Sequence, residues 1–315
     1  AAFERPRKRS RPRTKDRPDY SCSPDALVAS IDRGRYRCLL DDGTAVTATK
    51  ARVLGRKGVI VGDRVKLDGD VSGTAGTLAR VVEVSERRTW LRRSADDADT
   101  FERPIVANAD QLMIVTALAD PEPRIGIIDR ILVAAYDAHI SPILCLTKAD
   151  LASPDGLHIT YAPLEIPIVA TRPGGDLSPV RELLERHTTV LIGHSGVGKS
   201  TLVNALVPGA DRATGAVSGV TGKGRHTSTS AAAIALPGGG WIIDTPGVRS
   251  FGISHVHAEA FIGAFPDLEK LVDGCPRGCR HDSSAPECAL DEAVRSGRLG
   301  AERLLSFRRM ERAFA

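Results

Sequence analysis

The stretch that most limits what this chain can fold into is Gly193-His194-Ser195-Gly196-Val197-Gly198-Lys199-Ser200, followed by Thr201. Its spacing is G-x-x-x-x-G-K-S, in which glycines let backbone N–H groups turn inward onto phosphate oxygens. The apolar run 189–192 precedes it and 201–206, with helical spacing, follows it. That context sets the loop between a strand and a helix N-terminus, where the positive end of the helix also points at the anion. Lys199 in such a loop reaches the β- and γ-phosphates, and the Ser200 hydroxyl ligates Mg²⁺. A glycine-rich turn without a ligand is the plain alternative, and the flanking strand and helix argue against it.

The chain around this loop has 315 residues, 42% hydrophobic and 26% charged, ordinary for a soluble globular protein of two or three domains. No apolar run is long enough to span a bilayer, and the opening residues are basic rather than apolar, so neither a membrane span nor a secretory signal is expected. The net charge of +4 is uneven, with Arg5, Arg7, Lys8, Arg9, Arg11, Arg13, Lys15 and Arg17 crowded at one end. Residues 1–20 are expected to be a disordered basic arm. It is either a solubilising tail or, the favoured reading, an arm that neutralises nucleic-acid phosphates.

Residues 21–90 carry short alternating runs at 26–31, 36–40, 45–49, 61–67 and 76–84, with the turn Asp41-Asp42-Gly43-Thr44 between two of them. Such a pattern predicts a small OB-like β-barrel. Arg33, Arg35, Arg37, Arg52, Arg56 and Lys57 give it a basic face suited to RNA backbone, against the bland reading of a solvated surface. The charged segment from Ser85 to Pro104 reads as a linker, with a domain boundary drawn at 91–103. From 104 to 250 strands (111–116, 142–146, 166–169) alternate with helical stretches (125–138, 177–186), which predicts a mostly parallel sheet with helices on both faces.

Two more motifs lie on this sheet. Thr147-Lys148-Ala149-Asp150 ends the strand 142–146 and resembles the guanine-reading N-K-x-D of GTPases, with threonine in place of asparagine. The Asp150 carboxylate accepts from guanine N1–H and the 2-amino group, a donor pair that adenine lacks. Lys148 packs its stem along the base. Thr147 lacks the amide that normally ties such a site to neighbouring loops, a departure that bears on affinity more than on base preference. After the apolar 241–243, Asp244-Thr245-Pro246-Gly247 is a D-x-x-G: Asp244 holds a Mg²⁺-bound water and the Gly247 N–H meets the γ-phosphate. In the Gly/Ser/Thr-rich stretch 214–230, Thr227, with Thr229 as second choice, completes the Mg²⁺ shell.

At the C-terminal end Cys275, Cys279, His281 and Cys288 read C-x₃-C-x-H-x₆-C, a donor set that closes a tetrahedral structural Zn²⁺ site. The other three of the six cysteines are scattered. A reduced, cytoplasmic setting is expected. A single helix is predicted over 290–310, carrying Arg295, Arg298, Arg303, Arg308 and Arg309 as a second RNA-facing surface. Residues 251–315 are thus expected to form a zinc-binding helical domain.

The order of these motifs is unusual. The base-reading Thr147–Asp150 comes before the phosphate loop, and Asp244–Gly247 comes last. With Arg103–Asn108, Ile128-Asp129-Arg130, Gly224-Arg225-His226-Thr227 and Asp244–Arg249, this makes the chain similar to the ribosome small-subunit-dependent GTPase A family, of the RsgA or YjeQ type. The resemblance implies a circularly permuted GTPase, monomeric, that binds the small ribosomal subunit and its rRNA late in assembly and turns over GTP there. Val248 follows the D-x-x-G where many GTPases have glutamine, and the resemblance points to His226 as the water-positioning group; an RNA contact by His226 is the competing reading. The rival readings of the sequence are a P-loop ATPase or kinase, a non-catalytic rRNA chaperone and a permuted GTPase of the large subunit.

Overall fold

A computed structural model describes residues 19–55, 58–94, 103–208, 231–246, 251–253, 256 and 261–312. The basic arm through Arg17, the pair Arg56 and Lys57, and the residues His226, Thr227, Thr229, Gly247 and Val248 lie outside them.

Five strands build the amino-terminal unit: β1 (Asp25–Asp32), β2 (Arg35–Leu40), β3 (Ala45–Lys50), β4 (Arg64–Gly69) and β5 (Ala79–Val84). Their order is β1-β2-β3-β5-β4, and β4 returns to pair with β1, closing the expected barrel. The period-2 pattern sets the inside: Ala26, Val28, Cys38, Val46, Ala48, Val65, Leu67, Ala79 and Val81 are buried. Arg35 and Arg37, on the opposite face of β2, are exposed.

The described residues at the two ends of the expected linker form strands. β6 (Trp90–Arg93) pairs antiparallel with β7 (Arg103–Ala107), Leu91 opposite Val106. Its charges, read as signs of solvation, find partners instead. Arg87 grips the fully buried Asp63 through two bonds of 2.7 and 2.9 Å, Arg88 lies 3.2 Å from Asp110 and Arg92 lies 3.5 Å from Asp137. Partners so distant in sequence leave no local signature.

The central sheet follows in the order β10-β9-β8-β11-β13-β12. Its strands are β8 (Gln111–Ala117), β9 (Ser141–Thr147), β10 (Ile168–Ala170), β11 (Thr188–Gly193), β12 (Ala232–Ala235) and β13 (Trp241–Asp244). All neighbours are parallel except β12 with β13. β12, an alanine-rich strand with weak β propensity, was not expected; it meets β1 at Ala232 and Ser30 and joins barrel and sheet. α1 (Ile125–Asp137) and α2 (Asp155–Tyr161), the latter also unexpected, join α3 (Ser178–Leu184) and α4 (Lys199–Leu206). Alternate sheet residues face two cores. Met113, Val115, Cys145 and Leu191 pack on α3 and α4, while Leu112, Ile114, Leu144 and Ile192 pack on the α1 side.

That second core runs on without a break into the carboxyl-terminal elements: Phe261, Phe265, Leu290, Phe307 and Met310 belong to it. Those elements are α5 (Pro266–Glu269), α6 (Ala289–Arg295) and α7 (Ala301–Glu311). The single helix predicted over 290–310 is therefore two. Gly297 at φ 72° ends α6, donating to Val294 O at 3.1 Å while Arg298 N donates to Ala293 O at 2.8 Å. This is a Schellman cap, with glycine at the left-handed position. No helix among the described residues is long and apolar enough to cross a membrane.

Candidate nucleotide site and metal centre

The phosphate loop leaves β11 at Gly193, where a Cβ would stand 2.3 Å from the Val115 carbonyl oxygen of the neighbouring strand. Only glycine lets β8 and β11 approach this closely here. Gly196 and Gly198 take φ of 84° and 88°, the left-handed turns that curl the loop before α4 begins at Lys199. Ser200 and Thr201 are exposed in the first turn of α4. The His194 ring meets its neighbour's carbonyl, Nδ1 standing 2.8 Å from Ser195 O.

Lys199 is buried, and its ammonium donates to the Thr245 carbonyl and lies 3.2 Å from Asp244 Oδ1. The pairing of Leu191 with Asp244 brings the end of β13 beside the loop, and Thr245 Oγ1 donates to Leu191 O at 2.7 Å. Asp244 Oδ1 is buried and, despite its closeness to Lys199, has no well-aligned hydrogen bond. A carboxylate oxygen left so at a strand end has spare capacity for a hydrated cation.

The loop Thr147–Asp150 is tied to the loop Gly193–Ser200. Thr147 Oγ1 lies 2.5 Å from Val197 O, to which it donates, and 3.2 Å from Thr116 O. The amide that threonine lacks at 147 is replaced here by a hydroxyl that makes this bond. A hydroxyl at the end of β9 reaches the phosphate loop because β9 and β11 both flank β8. Lys148, at φ 57°, donates to the Asp120 carbonyl of the β8–α1 connection. Ala149 N donates to Thr171 O at 3.0 Å, drawing in the segment after β10. Asp150 is exposed beside this tied loop. The bonds through Asp120 and Thr171 had no signal in the sequence, because both use backbone carbonyls.

Cys275, Cys279, His281 and Cys288 come together, their ligand atoms all within 4.8 Å of one another. His281 Nδ1 stands 3.5 Å from Cys275 Sγ and 3.7 Å from Cys288 Sγ. With Zn–S near 2.3 Å and Zn–N near 2.05 Å, ligand atoms of a tetrahedral site lie about 3.6 Å apart, so the donor set can hold such a metal ion. Burial, and then the nearby Arg308 charge, hold the His281 imidazole below its ordinary pKa, in the neutral form that ligates. Arg308 Nε donates to His281 O at 2.8 Å and its guanidinium grips Asp291 through two bonds of 2.8 Å. Cys288 caps the start of α6, and Ala289 N donates to Cys275 Sγ at 3.3 Å.

The arginines expected to face RNA from the last helix turn inward instead. Arg303 binds both oxygens of Asp267 at 2.9 Å and the Pro163 carbonyl at 2.9 Å. Arg308 is committed to Asp291 and His281 O, and Arg309 binds Asp129 at 3.0 Å. Of that set, only Arg295 and Arg298 are exposed.

Comparison with known proteins agrees with this geometry. The RsgA GTPase family model matches residues 84–254. A small ribosomal subunit biogenesis GTPase RsgA of Azotobacter vinelandii is 40% identical over 79% of this chain and 73% of its own length. The Chlorobaculum parvum protein of the same name is 35% identical over 89% of this chain and 92% of its own. One from Ectopseudomonas mendocina is 43% identical over 65% of the chain, a match that spans 62% of that relative. YjeQ from Thermotoga maritima superposes with a TM-score of 0.69 at 26% identity, covering 92% of this chain and 98% of that one. YloQ, a circularly permuted GTPase, shares the fold at a TM-score of 0.68 and 23% identity, over 94% of this chain and 96% of its own. The family model's match over more than half of the chain, and relatives 35–40% identical over most of their length and of this chain's, make this chain a member of the RsgA GTPase family.

Proposed function

We propose that this chain, a GTPase of small ribosomal subunit biogenesis, reads guanine with Asp150 and hydrolyses GTP in a subunit-dependent manner that drives its release. The observation that carries the reading is the hydrogen bond from Thr147 to Val197 O. It joins the base-side loop to the phosphate loop, so both ends of one nucleotide are held by a single rigid unit. The residues contacting nucleotide are Thr147 to Asp150 and Gly193 to Thr201.

Lys199 exchanges its contacts with Asp244 and the Thr245 carbonyl for the β- and γ-phosphates. That exchange would free the Asp244 carboxylate as an acceptor for a metal-bound water. Ser200, Thr227 and, through water, Asp244 would hold Mg²⁺ with the nucleotide, where it would supply positive charge against the phosphates. Gly247 donates to the γ-phosphate and His226 orients the attacking water. Once the γ-phosphate has left Thr227 and Gly247, the bound state weakens and the protein is released.

In the same proposal Cys275, Cys279, His281 and Cys288 would hold Zn²⁺, which would cross-link the loop 275–288 as a structural site. The partner is the small subunit through its rRNA, met by Arg33, Arg35, Arg37 and Arg52, all exposed on the barrel. The protein acts as a cytoplasmic monomer, divided into arm (1–20), barrel (21–90), linker (91–103), GTPase domain (104–250) and zinc-binding end (251–315). GTP turnover is the test, measured with and without small subunits. We expect stimulation of the wild type and little in His226→Ala. If that variant is stimulated normally, His226 has no catalytic role. An Asp150→Asn variant that still preferred GTP to ATP would overturn the base-reading assignment.

A further inference from the structure

The carboxyl-terminal helix α7 reaches α1 and α2, of which α2 follows the loop Thr147–Asp150 in the chain. Arg309 Nε donates to Asp129 Oδ2 at 3.0 Å on α1, and its Nη1 donates to the Thr160 carbonyl at 3.3 Å on α2. The guanidinium also sits 4.8 Å from the ring centre of Tyr161, whose hydroxyl donates to Asp129 Oδ1 at 3.0 Å. Asp129 and Tyr161 are buried, the Asp129 side chain only 4% exposed. A carboxylate in that position stays ionised and ordered only while its cation and hydroxyl partners remain.

Both elements held by Arg309 lead into the site. α1 follows the connection whose Asp120 carbonyl accepts from Lys148. α2 begins at Asp155, shortly after Asp150, and Arg303 holds the Pro163 carbonyl just beyond it. The loop Lys148–Pro154 thus runs from β9 into α2 and is tied through Lys148 to the connection that leads into α1, while one side chain from the far end of the chain bridges α1 to α2. α7 is itself anchored by Arg308, through Asp291 and the carbonyl of the metal-site residue His281.

We propose that Arg309 is a positioning residue for guanine specificity, which sets the Asp150 carboxylate by bridging α1 to α2. The inference rests on Asp150 as the guanine-reading group. It goes beyond that reading in assigning base discrimination to a helix of the metal-binding end.

The test compares the dissociation constants of GDP and inosine diphosphate for the full-length protein. Inosine diphosphate keeps the phosphates, the sugar and N1–H but lacks the 2-amino group, so the ratio isolates one bond to Asp150. An unpaired acceptor makes the wild type prefer GDP by roughly tenfold. Arg309→Met is expected to bring the ratio most of the way to one while phosphate affinity changes little. Arg309→Lys, which keeps the charge near Asp129 without the second arm to Thr160, should fall between. Tyr161→Phe supplies a milder variant if Arg309→Met does not fold, as judged by its thermal melt and bound metal. A helix that merely stabilised the fold would weaken both nucleotides equally and leave the ratio unchanged, which would overturn the proposal. If the wild type, or Asp150→Asn against it, shows no difference in ratio, the reading of Asp150 fails first. If Asp150→Asn abolishes the preference but the folded Arg309 and Tyr161 variants keep it, only the positioning role fails.

Discussion

Two regions of this molecule are rich in arginine, and they use it in opposite directions. On the barrel, Arg35 and Arg37 stand on alternate positions of β2 and point to solvent. On α7, Arg303, Arg308 and Arg309 turn onto Asp267, Asp291 and Asp129. The same side chain is thus a free cation in one place and a rigid five-donor bracket in the other. The difference comes from what faces each element. β2 has its apolar side on the barrel interior and water beyond its other face. α7 lies against α1 and the segment after α2, whose carbonyls and carboxylates need donors once water has been excluded.

The contrast can be broken from the inward side first. If the Cys₃His cluster holds a metal ion as proposed, stripping it with a chelator should release the loop 275–288 and loosen α7, because the four ligands would then repel or solvate rather than close on the ion. Hydrogen exchange would show loss of protection over α6 and α7 with β8, β9 and β11 still protected; protection unchanged in α6 and α7 would mean the packed aromatic side chains suffice. Next in size, Arg309→Met leaves Asp129 buried without its cation, at a cost of about 3 kcal/mol. Urea unfolding measures this, and a loss below about 1 kcal/mol would show that the bracket is dispensable. The double variant Asp129→Asn, Arg309→Met should recover part of that loss, since the orphaned charge is gone.

The outward side should behave otherwise. Arg35→Ala and Arg37→Ala are expected to change stability by less than about 0.5 kcal/mol each. They should instead weaken binding to rRNA and flatten its salt dependence, by about one unit of slope for each phosphate left unneutralised. Binding measured across a salt series decides it; an unaltered slope would place the RNA elsewhere than on β2.

Much of the site could be read without coordinates because its signals are short. The glycines of 193–198 specify a turn, the flanking 189–192 and 201–206 specify strand and helix, and Cys275 to Cys288 specify a donor set by spacing alone. The barrel was legible for the same reason, through alternation such as Ala26 and Val28 inside. Thr147 was harder. Its residue type differs from the usual asparagine, and only the neighbouring Val197 carbonyl shows that a hydroxyl serves the tethering role. Asp129 carried a hint that could have been used: one acid amid Ile128, Ile131 and Leu132 on an apolar helix face must find a cation. Nothing local said which one.

The chain's order of residues therefore determined the barrel, the permuted order of nucleotide motifs and the metal-ligand set, since each is written within one turn, strand or loop. Tertiary structure alone decided that Trp90–Arg93 pairs with Arg103–Ala107, that β12 links barrel to sheet and that Arg303, Arg308 and Arg309 serve the interior. Those outcomes depend on groups as far apart as Asp129 and Arg309. Which polar group loses its water, and which charge comes to compensate it, is settled only when distant segments pack.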